Sequence, residues 1–74
     1  MRKKLPEASR DAYEYAIDQW IIGLNSERNR AILREWLFIG ITHEKLAEKY
    51  DMSTEGIKGI IKRCMDIVTR HLPG

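Results

Sequence analysis

The stretch Thr42-His43-Glu44-Lys45-Leu46-Ala47-Glu48-Lys49-Tyr50-Asp51-Met52-Ser53, continued by Thr54-Glu55-Gly56-Ile57-Lys58-Gly59-Ile60-Ile61-Lys62-Arg63-Cys64, decides the fold. Thr42 is a natural N-cap for a short helix over 43–50 whose inward residues are Leu46, Ala47 and Tyr50. Ser53 caps a second helix, over 53–72, in which Ile57, Ile60, Ile61, Cys64, Ile67, Val68 and Leu72 form an apolar stripe that stops at Pro73-Gly74. Only about three residues, Asp51-Met52-Ser53, separate the two, too few to lay them antiparallel, so they cross steeply in a helix-turn-helix arrangement. The side chains agree with a crossing. Ala47 is small where the helices approach, Met52 fills the turn, and Ile57 and Ile60 return the second helix to the core shared with Leu46 and Tyr50.

Working toward the N-terminus, Ile32, Leu33, Trp36, Leu37 and Ile39 predict a helix over 26–39 that ends at Gly40, with Asn25 and Ser26 as cap candidates. Before it, Tyr13, Ala16, Ile17, Trp20 and Leu24 recur at spacings of three and four, which predicts a helix over 7–24 with Pro6 in its first turn. Glu7, Asp11, Glu14 and Asp18 share another face. No segment alternates with period two. The expected fold is therefore all-α, a single domain over 1–74 of four helices at about 7–24, 26–39, 43–50 and 53–72, with a core including Ile17, Trp20, Leu33, Trp36, Leu46, Ala47, Ile57 and Ile61.

The 74 residues leave room for one core, and 43% apolar with 32% charged residues is a composition that folds. There is no apolar run long enough for a membrane span or a signal core, and the single cysteine, Cys64, excludes an internal disulfide, so the expectation is a soluble cytoplasmic protein. No His/Cys spacing resembles a metal set, and no carboxylate pair, Ser-His-Asp set or glycine-rich phosphate loop stands at workable spacing; no enzyme, cofactor or metal is expected. Net charge is only +2, but it is unevenly spread: residues 1–4 carry +3, residues 5–24 carry −3 and residues 53–74 carry +2. That asymmetry orients a domain in the field of a polyphosphate.

Burying one face of the last helix turns Glu55, Lys58, Gly59, Lys62 and Arg63 outward as a unit suited to a major groove. The plain alternative is the solvated side of an amphipathic helix, the usual fate of such charges. Gly56 and Gly59 each cost about 0.5–1 kcal/mol in a helix interior, for which close approach to DNA is one account and crowding against the preceding helix another. His43 either donates to a phosphate or is an ordinary surface histidine. His71, near a helix end, reads as structural, and Cys64 as a buried small residue. The runs Trp20-Ile21-Ile22 and Trp36-Leu37-Phe38-Ile39 hold more apolar side chains than one helix face covers. Either the first helix is wrapped on two sides, or Tyr15, Ile22 and Phe38 mark an interface with a second copy or another protein.

The run Gly40-Ile41-Thr42-His43-Glu44-Lys45-Leu46-Ala47-Glu48-Lys49-Tyr50-Asp51-Met52-Ser53, with Ile57-Lys58 and Ile61-Lys62-Arg63-Cys64, resembles the carboxy-terminal promoter-reading module of bacterial sigma factors, region 4, over about residues 10–70. Asp51 stands where that family usually has glycine, and aspartate tolerates a left-handed turn better than most residues. The resemblance implies a free-standing transcription regulator that binds double-stranded DNA and contacts RNA polymerase. It implies that Ser53, Thr54, Glu55, Lys58 and Gly59 face bases or nearby phosphates, with Lys62 and Arg63 on the backbone; Thr42 and His43, at the start of the preceding helix, are expected at the same DNA interface. Two other expectations compete: a domain similar to the output domain of LuxR-type regulators, binding DNA as a homodimer, and a small helical adaptor that binds RNA polymerase or another protein without touching DNA.

Overall fold

A computed structural model describes residues 9–72. It is all-helical, with four helices in the order α1 (Arg10–Trp20), α2 (Ser26–Arg34), α3 (His43–Lys49) and α4 (Thr54–Arg70); α2 runs on into a π-helical turn, Glu35–Ile39. No described helix is long and apolar enough to cross a membrane. Pro6-Glu7 and Pro73-Gly74 lie outside the described residues, but Ser9 is extended, so α1 starts at Arg10 and not at 7, and α4 ends at Arg70, two residues before the expected 72. Ser9, in extended conformation, caps α1 by accepting from the Ala12 amide at 3.2 Å.

α1 ends at Trp20, four residues before the end expected from the apolar spacing. Gly23 at φ +96° and Asn25 at φ +63° take the chain out of the helix and into α2. Asn25 holds the cap position of α2 but makes no side-chain cap bond. The terminal carbonyls of α1 are instead met by Arg30, whose Nε donates to the Ile21 carbonyl at 2.8 Å and whose second nitrogen donates to that of Asp18 at 3.0 Å.

Three residues lie off their expected places. Leu24, expected on the core face, is 91% exposed; Trp20, expected in the core, is 44% exposed and stacks on His71 with ring centroids 3.8 Å apart. Ile39, expected inward, is exposed. The wide π turn brings Trp36, Leu37 and Phe38, three consecutive large side chains, against the core, and Ile39 is the one left outside. Trp36 is thus at the core margin, not in it.

The buried set is Tyr13, Ala16, Ile17 and Ile21 from α1 and its end, Ile32 and Leu33 from α2, Leu46 and Ala47 from α3, and Ile57, Ile60, Ile61, Cys64 and Val68 from α4. Six of the eight expected core residues belong to it. α4 supplies the central face, against which the other three helices close.

Candidate nucleic-acid interface

The geometry of the α3–α4 corner follows from its caps. α3 ends in a Schellman arrangement: the Met52 amide donates to the Ala47 carbonyl at 2.9 Å and the Asp51 amide to that of Glu48 at 3.4 Å, with Asp51 at φ +56°. Aspartate fills the left-handed position that glycine most often takes. Ser53 then accepts from the Gly56 amide at 3.0 Å and starts α4, while Met52 packs against the core beneath the turn.

With Ile57, Ile60, Ile61 and Cys64 buried on one side of α4, Glu55, Lys58, Lys62 and Arg63 are exposed on the other. Gly59 lies between them, half-buried, and Thr54, also half-buried, opens the helix. The structure brings Ser53, Thr54, Glu55, Lys58, Gly59, Lys62 and Arg63 together on one helix. It engages the other two expected site residues locally. Thr42 caps α3, its hydroxyl accepting from the Lys45 amide at 3.2 Å, and the His43 ring lies near-parallel to Trp36 with centroids 6.3 Å apart.

The basic residues divide sharply by what holds them. Arg34 pairs with Glu14 and Asp18, Lys49 with Glu35, Arg10 with Glu14 and Arg70 with Asp66. Arg30 bonds the α1 carbonyls, and Arg28 bonds the Asn29 side chain at 3.1 Å. Among the described residues, the lysines and arginines whose side chains make no hydrogen bond or ion pair are Lys45, Lys58, Lys62 and Arg63. All four lie on α3 and α4. Lys45 was not among the residues expected from sequence. Its exposure follows from the buried Leu46 and Ala47 beside it, but its lack of a partner does not.

No family model, curated protein or solved structure matches the chain. Burial pushes the Cys64 thiol up, with a smaller opposing pull from Arg63, so this buried sulfur beside the basic face is held as the thiol. What the α4 face offers is three long cations, one carboxylate acceptor and a gap at Gly59. Such a set suits a ligand with closely spaced negative charges and polar edges between them.

Proposed function

We propose that the chain binds duplex DNA as a helix-turn-helix module, α4 lying in the major groove and α3 bracing against the backbone. The observation that carries this reading is the distribution of uncommitted charge. The other described lysines and arginines each have an intramolecular partner, and the four without one lie on α3 and α4, the two helices that would face DNA. Unpaired cations can release counterions from phosphates without first breaking an internal bond. Glu55 and Lys58, nearest the start of α4, act on base edges: Glu accepts from cytosine N4, and Lys donates to guanine O6 or N7. Lys45, Lys62 and Arg63 act on phosphates. Through its resemblance to sigma region 4, the module is a sequence-specific transcription regulator that also touches RNA polymerase.

The test is selection from a randomised duplex library with the mass of the recovered complex. A recovered motif that Lys58→Ala weakens by about 1–3 kcal/mol, with a smaller loss on random duplex, supports the reading. A protein that ignores duplex DNA at low salt overturns it in favour of the adaptor.

One observation favours a dimeric form of the same function. Tyr15 at 66% and Ile22 at 70% are exposed, as is Leu24, whereas Phe38, the third residue expected at an interface, is half-buried beneath the Arg10 guanidinium at 4.6 Å. A two-fold dimer that covers exposed apolar side chains such as these is consistent with that form. Sedimentation that reports a monomer at high concentration, free and on DNA, excludes that form.

A further inference from the structure

α4 carries two glycines within one turn, and their surroundings differ. A Cβ built at Gly56 would meet Ser53 Oγ at 3.2 Å and Met52 Cε at 3.3 Å. Ser53 Oγ is the cap that accepts from the Gly56 amide, so local crowding accounts for glycine there. A Cβ built at Gly59 would have only the Arg63 guanidinium within 4 Å, at 3.6 Å, an ordinary contact with the far end of a flexible side chain. Neither glycine has a positive φ. Packing and backbone conformation thus leave Gly59 unexplained, at a helix-interior position where glycine is disfavoured.

The missing side chain opens a gap on the outward side of α4, bordered by exposed Glu55, Lys58, Lys62 and Arg63. A bare Cα adds no charge and no new donor, since the helical amide is already bonded, so the gap is suited to van der Waals approach. We infer that Gly59 is a specificity-determining close-approach position, where a base-pair edge of duplex DNA comes against the α4 backbone while the Arg63 guanidinium swings off the gap. This rests on the DNA reading above and adds to it a steric determinant separate from the cations. Lys58 and Lys62 reach past the gap on long stems to contact bases and phosphates. A methyl at position 59 would hold the whole helix away from the groove floor.

The experiment is Gly59→Ala, measured by thermal melting and by binding to the best duplex recovered from the randomised library and to a random-sequence duplex of equal length. The expected result is a melting midpoint higher by roughly 2–8 °C. Affinity for the selected duplex should fall about tenfold or more, with the salt slope kept because no phosphate contact is removed. Binding to the random duplex should stay within about threefold, since sequence-independent binding rests on phosphates. Gly59→Ala that binds the selected duplex as tightly as wild type overturns the inference while leaving the DNA reading standing. A wild-type protein that binds no duplex removes both.

Discussion

The Tyr50 hydroxyl donates to Glu35 Oε2 at 2.8 Å and so ties the end of α3 to the π turn that follows α2. Lys49 Nζ reaches the same oxygen at 3.0 Å, while Glu35 Oε1 is buried without a hydrogen-bond partner. Glu35 therefore relies on its one satisfied oxygen. Tyr50→Phe should cost about 1–2 kcal/mol by urea titration, because it removes a donor from a carboxylate that is already short of one. Burial, then the bond to Glu35, pushes the Tyr50 phenol from 10.0 up to about 12. A raised acid is bound to its proton more tightly in the folded state, so its contribution is whole below about pH 10 and lost as pH rises through about 12. Wild type should lose stability across that window more steeply than Tyr50→Phe.

Two arginines one turn apart on α2 hold α1 in different ways. Arg34 pairs with the Glu14 and Asp18 carboxylates, its Nε lying 2.7 Å from Glu14, and about a third of its side chain is exposed. Arg30 bonds main-chain carbonyls. Arg34→Ala should cost on the order of 1 kcal/mol at low salt and less at high salt, since partly exposed charge pairs are screened. The loss in Arg30→Ala, about 1 kcal/mol, should persist in salt because it strands helix-end carbonyls. Thermal melts at two salt concentrations distinguish the cases.

What was legible in the sequence was whatever local rules settle. The caps at Thr42 and Ser53 and the turn at Asp51 depend on residues within one helical turn and appear at the expected positions, and of the α4 stripe Ile57, Ile60, Ile61, Cys64 and Val68 are buried while Ile67 is not in the core and Leu72 lies past the helix end. Leu24 and Ile39 were misplaced because helical spacing was extended past points where the helix ends or the turn widens, and Trp20, the last residue of α1, because its ring stacks outward on His71. Arg30 on the α1 carbonyls and the π turn at Glu35 have no signature in apolar periodicity. In the candidate site, outward residues of α4 followed from its buried stripe. That Lys49 is committed to Glu35 while Lys45 is free did not, since pairing depends on where α2 ends.

Ala47 is buried in α3, beside Leu46 and within the cluster that includes Ile57 and Ile60. The small side chain there leaves no room and no partner for a charge. Ala47→Glu should lower stability by on the order of 3–5 kcal/mol, enough to abolish a cooperative melt in a domain of this size. An unchanged melting curve would mean that α3 does not pack on α4 as described.

The division of basic residues into committed and free makes the last prediction a comparison within one protein. Lys62 and Arg63 are exposed and unpaired, whereas Arg10 is held by Glu14 at 3.8 Å and lies over Phe38. If α4 enters the major groove, Lys62→Ala and Arg63→Ala should each weaken binding on every duplex, specific or random. Each should also lower the slope of log affinity against log salt by about 0.9, the signature of one lost phosphate contact. Arg10→Ala removes the same formal charge from the chain and should leave the slope unchanged, because net charge alone acts at long range and is screened beyond about 8 Å. Filter binding over a salt series separates the two expectations. Equal slopes for wild type, Lys62→Ala and Arg63→Ala would show that the α4 cations do not meet DNA, and equal losses for Arg10→Ala and Lys62→Ala would reduce the interaction to diffuse attraction without an oriented helix.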